Sequence, residues 1–498
     1  MTTATPAYTR LEALFARLAN IEEALNILHW DMSAMMPQGG AGGRAAQLAT
    51  LKTLHHELLT GSEVGNLMTE AQGEELHGWQ IANLHEMRRD WVHASALPSS
   101  LVEEISHANS ACEMTWRKAR AASDFASVAP FLAEVLRLTR EVAKIKSDAL
   151  GVSPYDALLD QYEPGGRSAE IDVIFADLAD FLPGFLAEVQ ARQKPAPQGP
   201  KGPFPVERQK ALGLRIMEVL GFEFDHGRLD VSQHPFCGGN PDDVRITTRY
   251  DEADFMRSLM GVIHETGHAL YERGLPDSWR GQPVGRARGM SIHESQSLLM
   301  EMQACRSRQF LAFAAPIMAE TFGAKGQPGW DAETIYANNV RVNPGFIRVD
   351  ADEVTYPAHV ILRYRLEKAL IAGELEVNDI PAAWNESFES LLGLKVPDDR
   401  LGCLQDIHWY DGAIGYFPTY TLGAMTAAQL FDAAKSAVPG LLTSIGKGDF
   451  RPLLSWLREH VHGQAANLSA SELLASATGR PLDAAVFKAH LKARYLVA

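Results

Sequence analysis

The 498-residue sequence predicts a mainly α fold with one small β-sheet. Three observations carry that reading. From about residue 8 to 192, apolar residues recur at helical spacing with only short breaks. Two short β-branched or alternating stretches, 228–231 and 244–250, stand together mid-chain. Directly after them, 259–270 reads as a helix and contains His264-Glu265-Thr266-Gly267-His268.

The elements follow in order. Leu11, Leu14, Phe15 and Leu18 share one helical face, and the pattern continues until Pro37-Gln38-Gly39-Gly40 stops it. Further helices are expected at 44–59, 74–94, 99–122 and 128–150, with loops at Pro154 and at Glu163-Pro164-Gly165-Gly166. Met32, Met35 and Met36 are assigned to core packing rather than to a soft patch facing substrate. The Pro/Gly-rich run 194–205 separates a mostly helical first part, 1–193, from a second part, 206–498, within one unit spanning 1–498. A helix at 206–220 precedes the β stretches. An exposed edge strand there could bind an extended peptide. Asp243, Arg245 and Thr247 fall on one strand face, where Arg245 serves either a substrate carboxylate or a nearby acid. In the next helix Phe255, Leu259 and Ile263 form a stripe for burial, and Asp251 and Asp254 suit its first turn. Residues 274–289 read as a loop, a helix begins near Ser291, another covers 359–372, and 425–497 is plain amphipathic helix.

Composition excludes several function classes. With 46 Lys+Arg against 62 Asp+Glu the net charge is −16, which is unsuited to gripping nucleic acid. Cys112, Cys237, Cys305 and Cys403 are scattered, so neither a disulfide framework nor a cysteine metal site is expected, and a cytoplasmic setting is. No signal peptide and no membrane-spanning run are visible.

The chemistry starts from His264 and His268. Residues i and i+4 lie on one helix face, and two imidazoles so placed can bind one Zn²⁺. Glu265 can then take a proton from a metal-activated water. The spacing arises by chance often enough that a third ligand decides the matter. Glu294, 26 residues after His268, is the expected one, with Glu301 and Asp277 as rival acids. Glu294 is preferred because His293 and Gln296 surround it with possible hydrogen-bond donors. Downstream, Arg348 sits among Asp350, Asp352 and Glu353 and reads by itself as a structural ion-pair cluster. His408, Tyr416 and Tyr420 lie near one turn and could donate hydrogen bonds to an oxyanion.

Six stretches in order carry a resemblance: His234-Pro235-Phe236, Asp243-x-Arg245-x-Thr247, His264-Glu265-x-x-His268, His293-Glu294-Ser295-Gln296, Ile347-Arg348-x-x-Ala351-Asp352 and Gly402-x-x-Gln405-Asp406-x-His408-Trp409. Together they resemble the carboxypeptidase Taq family of thermostable metallocarboxypeptidases, from about Leu25 to the C-terminus. The resemblance implies a two-lobed, almost wholly helical fold with a long deep groove and zinc at its floor, similar to the angiotensin-converting-enzyme and neurolysin folds. It also implies a homodimer, broad release of C-terminal residues, poor cleavage before a C-terminal proline, and cobalt as a possible substitute for zinc.

The expectation is therefore a zinc metallocarboxypeptidase. His264, His268 and Glu294 hold the metal, and Glu265 is the general base. Arg348, with Arg245 in support, binds the terminal carboxylate, and His408, Tyr416 or Tyr420 stabilises the oxyanion. Two other readings stay open: an endo-acting oligopeptidase with the same metal chemistry, and a catalytically silent peptide-binding protein.

Overall fold

The computed structural model describes residues 5–496. Helices dominate, and one three-stranded sheet interrupts them. The chain divides into two compact units. One holds Met1–Ala94, Ala196–Asn339 and Thr426–Asp483, and the other Ser95–Pro195, Val340–Met425 and Ala484–Ala498. One crossing, at Pro195 to Ala196, falls inside the Pro/Gly-rich run.

The first unit opens with helix Pro6–Ala34. Helix N-termini leave backbone N–H groups without intrahelical acceptors. Here Ala7 and Tyr8 donate theirs to the Glu74 carboxylate at 2.8 and 3.0 Å. Tyr8, Leu11, Phe15 and Leu18 bury one stripe against Val64, Leu67 and Met68 of helix Ser62–Ala71 and against Leu84 and Met87 of helix Trp79–Ser95. That stripe ends at Trp30, so the core role expected for the methionines is wrong: Met32 and Met35 are 42% and 50% exposed. Helix Trp79–Ser95 starts later than its apolar pattern suggests because Gly78 stands at φ 50° just before it.

The second unit contains helices Ser99–Ala122, Phe125–Leu150, Ser168–Arg192, Tyr356–Ala372, Ile380–Leu392 and Ala484–Tyr495. Pro154, expected in a loop, instead opens helix Pro154–Leu159. At the first helical position proline's missing N–H costs nothing, and Ser153 caps the turn through Asp156 N. The last helix is tied down by Glu353, whose carboxylate accepts from His490, Arg494 and Tyr495, each at 2.9 Å.

The sheet lies in the first unit. Its strands are β1 (Gly227–Val231), β2 (Cys237–Asn240) and β3 (Asp243–Thr248), in the order β1-β3-β2. β1 is parallel to β3 and β2 antiparallel. The strand that carries Arg245 is therefore central, and the edges are β1 and β2. β2 escaped the sequence reading because two of its four residues are glycines, which have low strand propensity. Gly239 is required there: its φ is +90°, and a Cβ would lie 2.0 Å from the Asp243 carbonyl oxygen. Leu229, Val244 and Ile246 pack with Val262 and Ala269 of helix Phe255–Gly274. The sheet thus fixes one side of the His-Glu-x-x-His helix. Among the described residues no helix is long and apolar enough to cross a membrane.

Candidate metal centre and arginine cluster

Helix Phe255–Gly274 begins at Asp254, whose carboxylate accepts from Met256 N and Arg257 N. Phe255, Leu259 and Ile263 are buried, as their spacing predicts. That burial sets the rotation of the helix and turns His264 and His268 together toward helix Gly289–Leu298, which carries Glu294. The two helices touch backbone to backbone. A Cβ on Gly267 would stand 2.6 Å from both the Gln296 carbonyl oxygen and the Ser297 Cα. Gly267 is thus what allows Glu294 to approach the two imidazoles.

One donor atom from each of His264, His268 and Glu294 lies within 4.8 Å of the others. His264 Nε2 and His268 Nε2 are 3.9 and 3.6 Å from Glu294 Oε2. Donors at about 2.0–2.1 Å from one tetrahedral ion stand about 3.3 Å apart. The two His–Glu distances are thus close to those of a tetrahedral site, and the third pair lies within 4.8 Å. Of the two rival acids, Asp277 is largely exposed and pairs with Arg280. Glu301 lies in the π-helical turn Leu299–Ala304 that follows Glu294's helix. There it accepts from His264 Nδ1 at 3.0 Å and from Arg306 at 2.8 Å, behind the imidazole rather than beside the donor atoms. π-helical turns recur at functional sites.

The reason given for preferring Glu294 needs correction. His293 does not serve Glu294: its two ring nitrogens face His268 Nδ1 at 2.6 Å and Glu272 Oε1 at 2.7 Å. Gln296 hydrogen-bonds Ser295 and His462. The supporting groups orient the imidazoles instead.

The electrostatics show what this cluster lacks. Burial pulls the His264 imidazole down, but the Glu301 hydrogen bond and the charges of Glu294, Glu265 and Glu301 outweigh it and push it up to about 10. Burial raises Glu265 to about 7, with His264 opposing and Glu294 adding to the rise. Burial, with the neighbouring His293 and His264, holds His268 well below its ordinary value. Three carboxylates facing two imidazoles make a locus that a divalent cation neutralises.

Arg245 is engaged elsewhere in this unit. It forms a two-pronged pair with Asp243 at 2.9 and 2.7 Å and stacks on Trp30 at 4.3 Å. The supporting role expected for it toward a substrate carboxylate falls to the N–H groups that Asp243 does not take.

The remaining predicted residues gather in the second unit. Arg348 does not pair with Asp350, Asp352 or Glu353. Asp352 caps a turn through Val354 N and Thr355 N, and Glu353 holds the last helix. Arg348 instead meets Asp406, 58 residues away, at 2.9 Å, and donates to Tyr356 Oη at 3.1 Å. Arg363, fully buried, meets the same carboxylate through Nε at 2.7 Å. Tyr420 lies under Arg348 at 4.7 Å, and its hydroxyl is 3.4 Å from His408 Nε2. The Tyr416 and His408 rings are 5.8 Å apart. Burial pushes His408 down to about 4, so it is neutral at ordinary pH. Burial pulls Arg363 down to about 10, while the Arg348 and Arg363 charges hold Asp406 well below the usual carboxylate range. These seven residues make one connected group.

Comparison with known proteins gives the family. Residues 10–495 match the model of the carboxypeptidase Taq (M32) metallopeptidases. The chain belongs to that family. It is 38% identical to thermostable carboxypeptidase 1 of Thermus thermophilus, over 94% of both chains. Among solved structures, Trypanosoma cruzi metallocarboxypeptidase 1 superposes with a TM-score of 0.97 at 42% identity, covering 99% of this chain and 100% of that one. The M32 carboxypeptidase of Deinococcus radiodurans superposes at 0.94 with 35% identity, over 98% of each chain. The protein is a metallocarboxypeptidase that acts on peptides and uses a metal ion.

Sequence reasoning about this metallocarboxypeptidase missed two residues that a signal could have found. Glu272 follows His264 and His268 by the same four-residue step, so all three share one helix face. Arg363 follows the buried His359 by four residues, on the same helix face, and a cation in that position needs a buried partner.

Proposed function

We propose that this enzyme is a zinc carboxypeptidase of broad specificity, poor before a C-terminal proline, with His264, His268 and Glu294 as the metal ligands. One observation carries the reading: two imidazoles and one carboxylate bring donor atoms within 4.8 Å of one another. Two histidines and a carboxylate are a frequent ligand set of catalytic zinc, and they leave a position open. Cobalt suits the same donors. When bound, the ion supplies Lewis acidity at the scissile carbonyl and lowers the pKa of a water to about 7. Glu265 takes that water's proton on a carboxylate oxygen and returns it to the leaving amine nitrogen.

Arg348 receives the terminal α-carboxylate. Nε and Nη2 are spent on Asp406 and one Nη1 hydrogen on Tyr356. A guanidinium has five N–H groups, so two remain for a planar carboxylate. Arg245 acts in support, through the N–H groups that Asp243 does not take. Neutral His408, or the hydroxyl of Tyr416 or Tyr420, donates to the oxyanion. Residues 1–498 act as one catalytic unit, in a cytoplasmic homodimer that binds neither nucleic acid nor membrane.

The test is direct. An unblocked peptide is digested with and without chelator, and the products are read by mass. A ladder shortened from the C-terminus, abolished by chelator and restored by zinc, is expected. Internal cuts would favour an oligopeptidase, and no turnover in the zinc-loaded protein would favour a binding protein.

A further inference from the structure

The two ligand imidazoles are held from behind in different ways. His264 Nδ1 meets a carboxylate directly, Glu301 at 3.0 Å. His268 Nδ1 meets another imidazole, His293 Nδ1, at 2.6 Å. Two ring nitrogens at that distance share one proton, so one donates and the other accepts. Which does so is settled one residue further out. His293 Nε2 lies 2.7 Å from Glu272 Oε1, and a carboxylate only accepts. In the neutral His293 ring the one proton therefore sits on Nε2, and Nδ1 is the acceptor. His268 must donate from Nδ1, which leaves its Nε2 lone pair bare. That Nε2 is the atom facing Glu294 Oε2 at 3.6 Å.

We infer that Glu272 is a positioning residue for the metal: through His293 it fixes the His268 tautomer that presents a lone pair to the ion. Without Glu272, His293 can carry its proton on Nδ1. The direction of the His268 bond then reverses, and an N–H points at the metal locus. Histidine ligands commonly have their other nitrogen so oriented, and losing such support weakens metal binding about 10–100-fold. The Glu272 side chain is 27% exposed, so its replacement leaves the core intact.

This inference rests on the reading of His268 as a ligand, and the experiment separates the two. Zinc affinity is measured by competition with a chromophoric chelator for wild type, His268→Ala, Glu272→Leu and Glu272→Gln. The Tm of each metal-free protein is measured alongside. Glu272→Leu should raise the zinc Kd about tenfold or more with the metal-free Tm close to wild type. Glu272→Gln, which keeps an acceptor but can also donate, should fall between. An unchanged Kd in Glu272→Leu, beside a large loss in His268→Ala, overturns the relay and leaves the ligand reading standing. An unchanged Kd in His268→Ala overturns the ligand reading itself. A Kd that rises only in step with a falling metal-free Tm also overturns the relay. Ring ¹⁵N shifts give a direct reading: His293 should be protonated at Nε2 in wild type and lose that preference in Glu272→Leu.

Discussion

The two units each bury a charged cluster, one rich in carboxylates and the other in guanidinium groups. In the first, Glu265, Glu294 and Glu301 face His264 and His268. In the second, the guanidinium groups of Arg348 and Arg363 meet the single carboxylate of Asp406. Glu367, which also feels Arg363, is pushed up to about 7 by burial, as Glu265 is in the first cluster. The acid-rich one suits a cation and the arginine-rich one an anion. A metallocarboxypeptidase needs both: a metal for the bond, and a recogniser for the charge that marks the chain end.

The sharpest break in this comparison comes from the acid-rich side. Glu265→Gln should keep its zinc and lose turnover by on the order of 10²–10⁴ or more, since it removes a proton acceptor and no ligand. His264→Ala and Glu294→Ala should instead lose the metal. Elemental analysis beside a turnover assay separates these cases. Full zinc in Glu294→Ala would end its assignment as third ligand.

On the arginine side, Arg348→Ala removes a charge-assisted contact worth roughly 1.5–3 kcal/mol. Free-acid peptides should lose about 10–150-fold in kcat/KM. C-terminally amidated peptides should be poor with both enzymes and change little. Arg348→Lys should recover only part of the loss, because an ammonium does not reproduce the planar fork. An equal loss on acid and amide would mean that Arg348 serves only to hold Asp406.

The arginine side also has a pH signature. Glu367 is hydrogen-bonded by Tyr155, Trp409 and Gly415 N, yet burial lifts it from 4.5 to about 7. Between those pH values the folded protein holds a proton that the unfolded chain has lost. Stability from this group is thus fully present below about pH 4.5 and declines as pH rises to about 7. The span is at most ~3 kcal/mol. Urea denaturation across this range should show a shallower decline in Glu367→Gln than in wild type, since Glu265, also lifted to about 7, contributes alike in both. Parallel curves would remove Glu367 from the account of the cluster.

The smallest effect tests how the acid-rich cluster is assembled. Gly267→Ala adds one methyl against the backbone of Gln296 and Ser297. Overpacking of this kind costs typically about 1–3 kcal/mol. Because the strain pushes Glu294's helix away, zinc affinity should fall together with Tm. A lower Tm with unchanged zinc affinity would show that the helix contact does not set the ligand spacing.

Much of this was legible in the chain. The helical pattern, the Asp254 cap and the buried stripe Phe255, Leu259 and Ile263 follow from local periodicity. So does the shared face of His264 and His268, because residues four apart on a helix meet whatever the rest of the protein does. The family was legible too, from short motifs in a fixed order. Tertiary structure alone decided the pairings that join distant residues. It assigned Arg348 to Asp406 rather than to the acids beside it. It turned His293 toward Glu272 and away from its neighbour Glu294. It put Glu301 behind His264 instead of among the metal-facing donors, and it made Gly267 the contact between two helices. The physical reason is common to all four. Adjacency in sequence sets only which way side chains leave one helix or turn, whereas the partner of a buried charge depends on which backbones pack closely enough to exclude water.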